Sequence, residues 1–182
     1  MNMIRSFCAV ISLIASAGVL QALVITPLEI EELTKKADLV VQGVVASQAS
    51  RKDASGRIYT EVELDVAEVW KGKLSEKILK VVMGGGVMGG RRTVVSGQVD
   101  YAKGEEVVGF FRFNDRGEAV TIGLAQGKFQ IVKDERTGEK LANNPFHGES
   151  RRSVAKAGIS TPTNPEPLTL LQLKRRVQGS TR

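Results

Sequence analysis

Apolar residues along this chain fall into short runs of two kinds. Residues 39–45, Leu-Val-Val-Gln-Gly-Val-Val, are almost unbroken in apolar character, the pattern of a strand buried on both faces. Residues 58–70 alternate instead. Thr60, Val62, Leu64 and Val66 take one parity and Glu61, Glu63 and Asp65 the other, which predicts one buried and one wet face. The phase flips after Ala67, where Glu68 takes the apolar parity and Val69 the polar one. A bulge at Ala67-Glu68 accounts for the flip; so does a strand that ends early.

Further strands are predicted at residues 77–83, 92–95, 106–113, 119–124 and 128–133. Turn clusters separate them: Asp53-Ala54-Ser55-Gly56, Asn114-Asp115-Arg116-Gly117 and residues 134–138. No helical pattern alternates with these strands, which argues against a parallel α/β sheet. Six or seven strands at this spacing predict a mainly β fold, a small antiparallel barrel or sandwich. A short helix flanks the strands at each end. Thr26-Pro27-Leu28-Glu29 opens the first, with threonine as cap and proline in the first turn, and it ends near Lys36. The second covers residues 167–177, with Leu168, Leu170 and Leu171 on one side and Lys174, Arg175 and Arg176 in its last turns. Between strands and second helix, residues 143–164 are rich in Asn, Pro, Gly, Ser and Thr and read as a loosely ordered linker.

The N-terminus changes the setting. Arg5 precedes an apolar or small run over residues 6–20, and Ala22, or alternatively Ala17, supplies a small cleavage residue. This is the layout of a secretory signal peptide over residues 1–22, although an uncleaved anchor fits the same apolar stretch. Cys8, the sole cysteine, lies inside it, so the exported form carries no thiol or disulfide. The expected location is periplasmic or secreted.

The 182 residues include 26 Lys and Arg against 20 Asp and Glu, a formal charge of +6. A basic balance favours anionic partners or simply solubility. The densest basic clusters are Arg91-Arg92 and Lys174-Arg175-Arg176.

Four motifs invite a chemical reading. Gly84, Gly86 and Gly89 form a G-x-G-x-x-G. A dinucleotide loop must run into a helix whose N-terminal amides hold the pyrophosphate; here it runs into the strand-like Arg91-Arg92-Thr93-Val94-Val95, so a glycine hairpin loop is expected. Ser153-Val154-Ala155-Lys156 matches S-x-x-K without the companion elements of the penicillin-recognising enzymes. His147, the single histidine, is expected in a surface loop without a nucleophile beside it. Glu61, Glu63 and Asp65 lack the glycine and twelve-residue loop of a calcium hand. No catalytic set, cofactor or metal site is therefore expected. Nucleic acid is disfavoured as a partner, because Tyr59, Trp70 and Tyr101 do not cluster with the basic residues in sequence.

Three segments carry a resemblance: residues 37–45, Ala-Asp-Leu-Val-Val-Gln-Gly-Val-Val; residues 60–72, ending Glu68-Val69-Trp70-Lys71-Gly72; and Gly104-Glu105-Glu106-Val107-Val108-Gly109-Phe110-Phe111. With Gly123-Leu124-Ala125-Gln126-Gly127-Lys128-Phe129, this order resembles a group of exported bacterial β-barrel proteins of uncharacterised function. More distantly it is similar to the netrin-like domain of the tissue inhibitors of metalloproteinases. The resemblance covers about residues 37–132 and implies an OB-type barrel. The inhibitors' zinc-binding N-terminal cysteine and disulfide framework have no counterpart here.

The sequence thus predicts a signal peptide (1–22), an OB-like barrel (23–142), a linker (143–164) and a C-terminal helix and tail (165–182). The expected function is non-catalytic binding of an envelope or extracellular macromolecule, a protein or an anionic glycan, with Arg91 and Arg92 on the contact surface. The alternative is an inhibitor or accessory partner of an exported peptidase. A membrane contact is expected only if the N-terminal segment stays uncleaved.

Overall fold

The computed structural model describes residues 28–95, 97–147 and 167–181. The predicted signal segment, Thr26-Pro27, the S-x-x-K motif and most of the predicted linker lie outside them. The fold is mainly β. In chain order it comprises α1 (Ile30–Lys36), β1 (Leu39–Lys52), β2 (Ile58–Lys71), β3 (Ile78–Gly84), β4 (Gly86–Met88) and β5 (Arg91–Thr93). Then follow β6 (Glu106–Phe113), β7 (Ala119–Thr121), a 3₁₀ turn (Leu124–Gly127), β8 (Lys128–Lys133), β9 (Lys140–Asn143), β10 (Leu168–Thr169) and α2 (Leu170–Gly179).

β1 to β3 and β6 to β10 form one eight-stranded sheet in the order β1-β2-β3-β7-β6-β8-β9-β10, and β6 also pairs with β1. The pairings therefore turn back into a partial ring through β1, β2, β3, β7 and β6. All are antiparallel but one: β3 and β7 meet in parallel at the single pair Val81 and Ala119. The expectation of a wholly antiparallel sheet is corrected there.

The two-sided burial of β1 and β6 explains their continuous apolar runs. Leu39, Val41 and Val45 of β1 and Val107 and Phe111 of β6 face one core with Val62, Leu64, Leu79, Val81 and Tyr101. Val40 of β1 and Val108 and Phe110 of β6 face a second core with Trp70 and Phe129. Ile30 and Leu33 of α1 and Leu173 and Val177 of α2 close that second core from outside.

β2 runs through the phase flip without ending. Gln42 pairs with Glu68 and Gly43 with Val66, so Ala67 is the bulged residue. A second irregularity leaves Ala46 extra in β1, between Val45 and Ser47. Gly43 lies where the two backbones approach most closely; a Cβ built there would be 2.5 Å from the Asp65 carbonyl oxygen.

α1 starts later than the sequence predicts. The Leu28 N–H is drawn to the Gln126 side chain at 2.6 Å, and Glu29 caps the helix without a side-chain hydrogen bond. It ends at Lys36 as expected, where Lys71 Nζ donates to the Thr34 and Ala37 carbonyls at 2.7 Å each, satisfying carbonyls the last turn leaves open. α2 begins with a capping box: Thr169 accepts from the Gln172 N–H, and Gln172 accepts from the Thr169 N–H. The predicted linker also begins too early, since Asn143 belongs to β9 and Asn144 is buried.

Candidate binding site

The G-x-G-x-x-G stretch folds as a hairpin. Gly84 ends β3, Gly86 opens β4, and Gly89 and Gly90 form the turn into β5. β4 and β5 make a separate two-stranded sheet, with Gly86 opposite Thr93, Val87 opposite Arg92 and Met88 opposite Arg91. Gly89 and Gly90 have φ of 57° and 74°, and positive φ at both central residues is what a two-residue type I′ hairpin turn requires. The motif is thus spent on a strand–turn–strand unit. The strand predicted at residues 92–95 is shifted to Arg91–Thr93, and β4 within the glycine loop was not foreseen.

The hairpin is fastened across the far ends of β1 and β2. The Val87 N–H donates to Ser50 Oγ at 2.9 Å, Thr60 Oγ1 donates to the Gly85 carbonyl at 2.9 Å, and the Gly85 N–H donates to the Ile58 carbonyl at 3.1 Å. Glycine is required for this closeness. A Cβ on Gly86 would lie 2.6 Å from Ser50 Oγ and 2.8 Å from Thr60 Oγ1, and one on Gly85 would lie 2.4 Å from the Thr93 carbonyl oxygen. Ser50 and Thr60 escape a sequence reading, because nothing local marks them as anchors for a loop 25 or more residues away.

Beneath the hairpin lies an open cleft of about 510 Å³, reached by Ser50, Thr60, Gly85, Arg92, Val94 and Gln98. Asp100 is the one carboxylate lining it. Residues 91–95 are all exposed, and Val87 and Val94 expose 59% and 70% of their surface, which is unusual for valines in ordered backbone.

The two basic clusters, equivalent in sequence, differ in their surroundings. Arg176 forks onto Glu31 with two 2.8 Å hydrogen bonds, and Lys174 pairs with Glu68. That cluster ties α2 to α1 and β2. Arg91 and Arg92 form no ion pair with any described residue. Their charge is directed outward.

A second cleft, of about 480 Å³, includes Asp100, Glu105, Lys128, Asn143 and Asn144. Two of its charges answer one another. Lys128 Nζ is 2.7 Å from Glu105, both side chains being nearly buried, and lies 4.9 Å from the centre of the Tyr101 ring. Tyr101 shares a 2.8 Å hydrogen bond with Thr121, and burial pushes its hydroxyl well above the usual tyrosine range, so it stays protonated. The Asn144 amide donates to the carbonyls of Ala125, Gln126 and Lys128. These contacts tie the β8 entrance to the end of β9.

His147 corrects an expectation. It is 7% exposed and stacks on Phe129 with centroids 5.3 Å apart. Its Nε2 is buried without a hydrogen-bond partner, and burial holds its pKa below the ordinary value. Of the strand carboxylates, Glu61 pairs with Arg51 at 3.6 Å and Glu63 accepts from Ser47 at 2.7 Å. Among the described residues no group of three or more His, Cys, Asp or Glu is arranged to hold a metal ion, and no helix is long and apolar enough to cross a membrane.

No protein-family model matches the chain, and no curated protein matches it.

Proposed function

We propose that the chain is an exported, non-catalytic binding protein that contacts an anionic envelope or extracellular macromolecule through the β4–β5 hairpin and the cleft beneath it. The observation that carries this reading is the outward-facing Arg91-Arg92 pair, free of described carboxylate partners, on a hairpin that also exposes Val87, with Val94 exposed just beyond it. Basic charge without an internal partner is available to an anionic one, and Val87 and Val94 add exposed apolar surface beside it.

The sheet supports the same reading. A partial ring in the order β1-β2-β3-β7-β6, returning to β1, with β3 and β7 meeting in parallel, is consistent with the proposed OB-type barrel. Barrels of that type generally receive ligands on the face of their second and third strands. Thr60 of β2 and Met83 and Gly84 of β3 line the hairpin cleft, so the candidate surface falls there by analogy. We assign no catalytic role to the one histidine, which stacks on Phe129 and whose buried Nε2 has no hydrogen-bond partner among the described residues.

The test compares the purified chain with its Arg91→Ala, Arg92→Ala variant, both immobilised and exposed to the source's envelope and secreted fractions at low and high salt. Retention by the parent at low salt, lost in the variant and lost at high salt, supports the reading. Equal retention by both proteins removes the hairpin as the contact surface. Turnover of any retained molecule would overturn the non-catalytic assignment.

A further inference from the structure

We infer that β5 is a docking edge for an extended acidic peptide, which adds to the β4–β5 hairpin as its third strand. This rests on the hairpin being the contact surface and names the kind of partner it takes.

The register of the hairpin fixes which backbone groups are free. Across a two-residue turn the flanking residues, Met88 and Arg91, form the hydrogen-bonded pair, and the next pair, Val87 and Arg92, points its N–H and C=O groups away from each other's strand. The structure carries an internal check on this alternation. The Val87 N–H is directed away from β5 and donates to Ser50 Oγ at 2.9 Å. By the same alternation the Arg92 N–H and C=O point away from β4, to the side where no described strand pairs with β5. One edge of the ribbon is fastened to the body of the protein and the other is open.

An open edge of this kind is a template for strand addition, in which main-chain hydrogen bonds provide affinity and alternate side chains provide specificity. A two-stranded ribbon is marginal by itself, and a third strand is what ordinarily stabilises it. Thr93 of β5, and Val94 and Val95 just beyond it, are β-branched and suit a strand that pairing would extend. Arg91 and Arg92, adjacent on the strand, project to opposite faces of the ribbon, so carboxylates at successive positions of the incoming peptide would meet both.

Charge and backbone together select this occupant. A second copy of β5 would set arginines against arginines, and like charges directly opposite are destabilising. A bilayer would bury the free Arg92 N–H and C=O in hydrocarbon with nothing to satisfy them. An anionic glycan would answer the guanidinium groups but leave the backbone edge unpaired. An acidic peptide answers both.

The experiment uses the full chain and a fluorescent ten-residue peptide in which adjacent pairs of glutamates alternate with pairs of valines, so that carboxylates reach both faces of the strand. Two derivatives are N-methylated on one or the other set of alternate amides, and heparin serves as a polyanion that cannot form a strand. Anisotropy titrations at low and moderate salt are expected to show binding of the parent peptide. One N-methylated derivative should bind about tenfold more weakly or worse, having lost the amide that donates to the Arg92 carbonyl and gained a methyl group at the edge, while the other binds nearly as well. Arg91→Glu with Arg92→Glu should weaken the parent peptide by a similar factor. Failure of the parent peptide to bind, or equal tolerance of both N-methylation patterns, overturns the inference. If heparin binding persists in that case and is lost in the arginine variant, the hairpin remains a contact surface for polyanions; if heparin binds both proteins alike, the hairpin reading fails as well.

Discussion

The ring of His147 stacks on that of Phe129 at 5.3 Å and 24°, and this contact holds the end of the β9 segment against the core that the two helices cover. Asn144 completes the arrangement by bridging to His147 and spanning three carbonyls at the entrance to β8. A polar, proline-containing stretch is thereby tied to the core.

The first prediction follows from the buried imidazole. Burial disfavours the charged ring, and Arg176 pushes the same way while Glu29 and Glu31 oppose it. The folded pKa is below the ordinary 6.5, so as pH falls through that value the unfolded chain takes up a proton that the folded chain does not. Stability therefore falls as pH drops below about 6.5. The carboxylates held low by their partners, Glu31, Glu68 and Asp134, act in a separate window at lower pH. His147→Phe preserves the stacked ring and removes the titration. Denaturation midpoints between about pH 7.5 and 5.5 should slope in the parent and flatten in the variant; parallel slopes would show that His147 does not carry the dependence.

The second concerns what holds α2. Leu173 and Val177 are fully buried in the helix-covered core, whereas Arg176 and Glu31 expose 36% and 42% of their side chains. Truncating a buried leucine costs about 2–5 kcal/mol, while an ion pair this exposed contributes about 1 kcal/mol or less after screening. Leu173→Ala should lower the urea midpoint several times further than Arg176→Ala, and only the arginine variant should lose its deficit in high salt. Comparable losses would make the ion pair the principal clamp.

Several elements were legible because local pattern and tertiary environment agree. β6 and β8 occupy residues 106–113 and 128–133, as their apolar runs predict, and the phase flip in β2 is a bulge at Ala67. β9 and β10 were not legible: Lys140–Asn143 has two apolar residues and Leu168–Thr169 one, so each exists only through the strand it pairs with. The candidate surface was half legible. Arg91-Arg92 and Lys174-Arg175-Arg176 look alike in sequence, and what separates them is Glu68 and Glu31, which lie 106 and 145 positions from Lys174 and Arg176. His147 was misread for a similar reason, since loop composition signals exposure and Phe129 is invisible to it.

Gly43 yields a third prediction. It has no positive φ, so its need for glycine is purely steric: an added Cβ would meet the Asp65 carbonyl oxygen at 2.5 Å and the Val66 Cα at 3.2 Å. Backbone on both sides must part, next to a bulge that already bends β2. Overpacking of this kind costs about 1–3 kcal/mol. Gly104→Ala is the contrasting case, with φ of 83° and open space around the position, where the cost is conformational and about 1 kcal/mol. Thermal unfolding should rank Gly43→Ala below Gly104→Ala; the reverse order would mean that β1 and β2 separate easily at the bulge.

The last prediction separates the hairpin from the body of the fold. A two-stranded ribbon has little stability of its own, and β4–β5 depends on Ser50 and Thr60 for two of its anchoring hydrogen bonds. Each contributes about 1 kcal/mol, but the loss should fall on docking of the hairpin and not on global unfolding, because Val62, Leu64 and Val81 beneath it keep their packing. Ser50→Ala combined with Thr60→Val should therefore speed amide exchange across Gly86–Met88 and Arg91–Thr93 by about an order of magnitude while the melting temperature changes little. Binding through the hairpin should weaken in step, since a mobile ribbon must be ordered before it can hold a partner. A fall in melting temperature without faster hairpin exchange would instead make β4–β5 part of the cooperative core, a rigid platform and not a locally fastened one.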